Sequence, residues 1–456
     1  MFKKLAILTT IFLLLTTMGV GCKGLTAEQQ AAVKPVKLTY WTIYNDVEQL
    51  RQLASEYKQV RPYVTVEVRQ IRYEEFDTLF SNALADDLGP DIVSMYIRWL
   101  RQYYNRLSPM PAAVNVARVV KKGKYTDEIE VIIDTNNMPT DRDIKSQYVS
   151  SVYENATVGG KVYGLPLAVD SLAVFYNKDL LDKANIPEPP KDWDEFVEAV
   201  KKTTKFNSNG DIVQAGTALG TVKNIDVSFD LLSLFMMQSG VQMSSGNAIT
   251  FSSGLTNPEP SHPAFKALQF YTDFARPTKE IYTWNDQMEN ALTEFVRGKV
   301  VFYFGYAYDL PRIRARAPQM NLEVLPMFQL SPDDPKNIAN YWLESVVKKS
   351  KHQDEAWDFV RFIASAQNVK KYTEAVLRPS PYRAHIAEQQ ENVQLAPFAS
   401  QSLFAQNWYR GRNVDVATDA FNDLITEYLA PYNTNKPLER DARLLINAAT
   451  RVQQTM

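Results

Sequence analysis

Catalysis by side chains needs a nucleophile, an acid–base pair or a metal set, and this sequence spaces such groups far apart. The histidines are His262, His352 and His385, and Cys22 is the only cysteine. A lone cysteine makes no internal disulfide and no Cys-pair metal site. No HExxH, GxSxG or phosphate-loop pattern occurs. The acid pairs Asp86-Asp87 and Asp333-Asp334 lie beside turn-forming Gly or Pro and read as solvated loop charge. Two glycosidase-type carboxylates could still stand far apart in sequence, but no spacing singles out such a pair. The chemistry points away from an enzyme and implies neither a cofactor nor a metal.

One acid stands out. Asp170 interrupts the apolar run of YGLPLAVDSLAVFYNKDLL, residues 163–181. An acid in such a run is costly unless it is paired or wet. It is therefore either paired in a salt bridge or in contact with water. The chain also carries 24 Tyr, 22 Phe and 7 Trp, enough rings for both a core and a cleft.

The elements that must position these groups alternate between strand and helix periods. VKLTYWTI (36–43) alternates like a strand, Asn45 or Asp46 caps the next helix, and Val47, Leu50, Leu53 and Tyr57 give that helix one apolar face. VTVEV (64–68) and DIVSMY (91–96) are further strands of what reads as a parallel α/β unit. Residues 101–150 show no clean period and read as an irregular, partly helical insertion. Asp192 with Glu195, and Ser350 with Gln353, form capping-box patterns before helices. KVVFYF (299–304) is a short apolar strand ended by Gly305, and a helix closes the chain from Leu438. At 456 residues the chain exceeds one ordinary core, so two lobes are expected. A net charge of -2 with interspersed signs gives no footprint for nucleic acid.

The N-terminus reads as an export signal. Lys3 and Lys4 precede the apolar stretch LAILTTIFLLLTTMGVG and then Cys22. Cys22 after Gly21 resembles a lipoprotein signal whose cysteine becomes the lipidated first residue. Gly19 stands where that signal usually has Leu, and the alternative is an ordinary secretory signal with an incidental cysteine. Residues 22–35 read as a flexible tether.

Several stretches in order resemble the family 1 extracellular solute-binding proteins of ABC importers, the group that includes the maltose-binding protein. They are KLTYWTIYND, RPYVTVEV, GPDIV, the 163–181 segment with PPKDWDEF, TEFVRGKVVFYFGYAYDLPRI, VVKKSKHQDEAWDFVRFIAS and RPSPYRA. The resemblance implies a two-lobed periplasmic-binding-protein fold of type II with a hinge. Lobe one would be 36–168 plus 346–395, and lobe two 169–345 plus 396–456. It implies a monomer that captures a carbohydrate and delivers it to membrane permease subunits, tethered at the periplasmic face or cell surface. Sugars offer C–H faces to rings and hydroxyls to polar groups. At the positions the family uses for ligand, this chain has Tyr44, Asn45, Tyr96, Trp99, Asp170, Tyr306, Tyr308, Trp342, Glu344, Arg383 and Trp408. A surface enzyme on polysaccharide and a sensory or adhesion lipoprotein of the same fold are the alternatives.

Overall fold

The computed structural model describes residues 25–121 and 129–456. The 1–21 signal and Cys22 lie outside the described residues.

Two twisted sheets, each wrapped by helices, build the molecule. The first has the strand order Trp342–Val346, Ile92–Tyr96, Val36–Thr42, Val64–Gln70. Its last three strands run parallel, and Trp342–Val346 is antiparallel to Ile92–Tyr96. Helix Val47–Val60 links the first two parallel strands. It starts where the Asp46 carboxylate accepts the Gln49 N–H at 2.8 Å, and it buries Leu50, Leu53, Ala54 and Tyr57.

The second sheet has the order Lys205–Phe206, Ile212–Thr217, Val300–Gly305, Ala173–Asn177, Leu322–Pro326. Ala173–Asn177 lies between Val300–Gly305 and Leu322–Pro326 and is buried along its whole length. Helix Trp193–Thr203 packs beside this sheet with Trp193, Phe196 and Val200 inward, and Asp192 caps it.

Between the lobes the chain crosses three times. Asp170–Ser171 and Asn337–Asn340 pair antiparallel at this waist, with Asp170 opposite Asn340. Ala405–Gln406 adds a parallel third strand. Gly164 lies just before the first crossing. A side chain there would meet the Glu344 carbonyl at 2.8 Å, so only glycine lets this segment bridge to Glu344 through Leu165.

Four expectations are corrected. The strand Trp342–Val346, assigned by sequence to the second lobe, belongs to the first sheet. The 101–150 insertion does include a helix, Asp141–Gln147, but its larger element is an antiparallel strand pair, Ala113–Lys121 with Ile129–Asn137, in unbroken register. Its inner face packs on helix Gln353–Ile363 while Ile129 and Ile133 stay exposed, so hydrophobic alternation is blurred on the outer strand. Ser350 does not cap that helix. Its hydroxyl donates to Asp91 at 2.6 Å instead. The tether contains a short helix, Ala27–Ala32, closed by a Thr26–Gln29 capping box.

Candidate ligand-binding cleft

The loops at the C-terminal ends of the parallel strands face the second sheet across a cavity of about 510 Å³. This is where open α/β sheets place their ligands. Tyr44 follows the first strand and Tyr96 ends the third. Tyr306 and Tyr308 follow Val300–Gly305, and Trp342 begins the strand after the second crossing. All five line the cavity. Their rings form a continuous surface. Tyr44 lies 4.8 Å from Trp342 and 5.5 Å from Tyr308, centroid to centroid. Trp342 stacks on Tyr96 at 5.4 Å, and Tyr306 on Tyr308 at 5.6 Å.

The other six candidates are placed elsewhere. Asp170 is fully buried, contrary to the picture of a solvated acid on the groove floor. Its carboxylate accepts the N–H groups of Ser171, Ala307 and Tyr308 at 2.9, 3.0 and 3.2 Å. It thus fixes the turn that carries Tyr306 and Tyr308. Burial pushes its pKa up to about 6, and nearby Arg378 and the three backbone donors offset part of the cost. Glu344 is also fully buried, accepting from Ser94 and Asn45 at 2.6 Å each and from Tyr40. Asn45 is spent on that network. Trp99 stands behind the cavity wall, stacked on Tyr73 at 4.8 Å and Phe76 at 4.9 Å. Trp408 backs Phe229 from the far side and lines a separate 480 Å³ cavity. Arg383 donates to the Tyr148 carbonyl at 2.7 Å, away from the cleft.

The arginine that serves the waist is Arg378. It is buried, reaches Asn45 at 3.4 Å, and lies 5.7 Å over the Trp342 ring. It supplies positive charge to both Asp170 and Glu344. RPSPYRA contains both arginines, and periodicity does not tell which one turns inward.

Sequence reasoning also missed a contact across the cleft. Arg98, two residues past Tyr96, bonds Asp230 of helix Ser228–Gln238 at 2.5 Å. Both are buried. The Tyr306 hydroxyl donates to the other Asp230 oxygen at 2.6 Å, and Arg98 Nε donates to Asn407 at 3.1 Å. Arg98 therefore ties the first lobe to the second. A signal for Asp230 existed, because SFDLLSLFMMQ is an otherwise uncharged helix, the same anomaly that marked Asp170. Asp309 is a second buried acid of the wall. Burial raises it to about 6, while Arg312 at 2.9 Å and the Tyr303 hydroxyl at 3.1 Å favour its ionised form.

Two polar atoms of the wall are buried and unpartnered, Trp342 Nε1 and Asn340 Oδ1. One is a donor and the other an acceptor. Among the described residues, no group of three or more His, Cys, Asp or Glu is placed to hold a metal. No helix among them is long and apolar enough to cross a membrane.

Residues 52–397 match the family described as bacterial extracellular solute-binding protein. The chain belongs to that family. A putative binding protein of Brucella abortus is 26% identical over 271 residues, covering 57% of this chain and 60% of that protein. The arabinooligosaccharide-binding protein of Bacillus subtilis is 23% identical over 400 residues, covering 84% of this chain and 81% of that protein. Among solved structures, a cyclo/maltodextrin-binding protein complexed with maltotetraose superposes with a TM-score of 0.67 at 17% identity, covering 92% of this chain and 97% of that one. The sugar-binding protein MalE from Xanthomonas citri gives 0.65 at 18% identity, covering 91% and 98%. These likenesses show the two-lobed binding-protein fold. The family is one of solute-binding proteins, which agrees with the scattered histidines and single cysteine.

Proposed function

We propose that the chain captures a mono- or oligosaccharide outside the cytoplasm by closing its two lobes, and delivers it to the permease of an ABC importer. The observation that carries this reading is the continuous aromatic wall of Tyr44, Tyr96, Tyr306, Tyr308 and Trp342 along one cavity. A ring face suits the C–H face of a pyranose. The names of the Bacillus subtilis relatives, binders of arabinooligosaccharide and of melibiose, raffinose and stachyose, support the same class.

In this reading residues 36–168, the strand from Trp342 and the helices to about 395 move as one lobe. The remainder moves as the other, and the protein works as a monomer. Cys22 carries the lipid that tethers it, since several acyl chains at roughly 0.8 kcal/mol per buried methylene hold a protein firmly to a membrane.

The test of ligand class is thermal unfolding with a panel of sugars. A true ligand at 100 times its dissociation constant adds about 2.7 kcal/mol of stability. No shift with any saccharide, beside a clear shift with peptides or glycerol phosphates, would sink the saccharide reading. The anchor is tested separately. Cys22→Ala should move the protein from the membrane fraction to the soluble one, and unchanged partitioning refutes the lipid.

A further inference from the structure

The second cavity, of about 480 Å³, lies behind the ligand cavity, and one helix runs past both. Asp230 and Met237 of helix Ser228–Gln238 are seven residues apart, which puts them on one face about 10 Å from each other. Asp230 lines the ligand cavity and Met237 lines the second one.

Two side-chain contacts wall one cavity off from the other. Phe229 on the ligand side stacks on Trp408 on the far side, with 5.7 Å between ring centroids. Arg98 on the ligand side donates through Nε to Asn407 on the far side at 3.1 Å. All four side chains are buried. At both contacts the wall is a single pair of side chains thick.

The ligand face of this wall carries a fixed donor. The Arg98 guanidinium is held by Asn407 and Asp230 and lies 5.2 Å over the Phe229 ring. Its Nη1 has no hydrogen-bond partner among the described residues, and unlike Trp342 Nε1 or Arg378 Nε it is not sealed from solvent. Arg98 lines the ligand cavity and not the one behind it, so Nη1 opens toward the ligand. A guanidinium offers donors and no acceptor, and Asp230 already meets its charge. The partner it suits is a neutral oxygen, such as a sugar hydroxyl.

We propose that this wall is the end stop of the ligand site: one terminal unit of a linear saccharide abuts Phe229 and accepts a hydrogen bond from Arg98 Nη1, and the rest of the chain extends away from it. This rests on the saccharide reading above and narrows it to linear saccharides read at one end. Cyclic saccharides, which have no terminal unit, and chains with a bulky group on the buried end are refused.

The experiment is calorimetric titration of the full mature protein with linear gluco- and galacto-oligosaccharides of increasing length. Each is compared with a form carrying an aryl group at the reducing end, a form carrying a benzylidene group at the non-reducing end, and a cyclic glucan. A bulky group at one end should weaken binding about tenfold or more, as overfilling a packed wall does, while a group at the other end changes little. Phe229→Ala should remove that asymmetry by opening the wall toward the second cavity. Phe229→Leu, a smaller cut, should remove part of it, and an unfolding midpoint shows which variants fold. Arg98→Lys should weaken linear sugars roughly tenfold or more, the loss expected for a hydrogen bond to a charged group. Deleting one hydroxyl of the terminal unit should cost the unaltered protein a similar factor, and the two losses should not add. Cyclic or doubly end-blocked sugars that bind as tightly as open linear chains overturn the end stop and leave the saccharide reading standing. So does an end preference that both Phe229 variants leave unchanged. Losses that add at every hydroxyl overturn the Arg98 contact. No binding by any saccharide overturns the saccharide reading and the end stop with it.

Discussion

Three backbone N–H groups converge on the Asp170 carboxylate, and the turn they belong to carries Tyr306 and Tyr308 into the cleft. Replacing that carboxylate by an amide would turn an N–H donor toward the Tyr308 N–H. Asp170→Asn should cost about 1–3 kcal/mol in urea unfolding, the usual penalty for a buried group left without its bond. Ligand affinity should fall with it, since the two tyrosines lose their fixed position. The pH dependence has a definite sign. Asp170 and Asp309 are each raised to about 6 by burial, so the folded state holds their protons more tightly than the unfolded chain. Their contribution to stability is complete below the unfolded pKa near 3.8 and is lost as pH rises through about 6. Each site held ionised at pH 7.5 costs about 3 kcal/mol relative to the unfolded chain. The urea midpoint should therefore rise between pH 7.5 and pH 5, and the rise should be smaller in Asp170→Asn. A midpoint that falls over that range contradicts the burial of these acids.

At the scale of elements, the hairpin arms Ala113–Lys121 and Ile129–Asn137 are held by polar groups as well as by their apolar face. Asp358, fully inside helix Gln353–Ile363, accepts from Arg61 at 3.2 Å, from Tyr57 at 2.9 Å and from Asn136 of the hairpin at 2.8 Å. Arg61 reaches on to Asp134 of the hairpin at 3.1 Å. Removing one partner of a buried pair leaves the other charge uncompensated. Asp358→Ala should destabilise the protein by about 3–5 kcal/mol in denaturant unfolding. Sugar affinity should stay within about twofold, because Asp358 lies behind the first sheet rather than in the cleft, and non-neighbouring sites act independently. A large loss of affinity with native stability would place the hairpin in the ligand path. Gly164 makes a parallel case. A methyl group there meets Ser345 Oγ at 2.6 Å and the Glu344 carbonyl at 2.8 Å, so Gly164→Ala must push apart two segments at the mouth of the hinge.

For the whole molecule, the buried Arg98–Asp230 pair is a tie between the lobes. Hinge proteins of this kind shift between open and closed arrangements, and a contact made in only one of them biases the balance. Breaking it should favour the open arrangement. Asp230→Asn should show a larger radius of gyration than the unchanged protein in small-angle scattering, and saturating sugar should contract it again. An identical radius would mean that Arg98 and Asp230 remain together in both arrangements.

Much of this was legible in the sequence because it depends on near neighbours. Helix and strand periods located the central strands, the Asp46 and Asp192 caps, and the closing helix Pro437–Gln453. The order of short motifs carried the family and its two-lobed fold, and of the positions that resemblance implied for ligand, Tyr44, Tyr96, Tyr306, Tyr308 and Trp342 line one cavity. The anomaly of an acid in an apolar run correctly flagged Asp170 as placed there for a reason. Only the tertiary structure decided what that reason is. Whether a buried acid meets water, a cation or backbone N–H groups depends on segments more than a hundred residues away, here the Ala307–Tyr308 turn and Arg378. Pairing Arg98 with Asp230, choosing Arg378 over Arg383, and withdrawing Glu344 and Asn45 into their own network are likewise contacts between crossings of the chain. Periodicity reports which way a side chain faces along its own element; it holds no information about which distant element waits on that face.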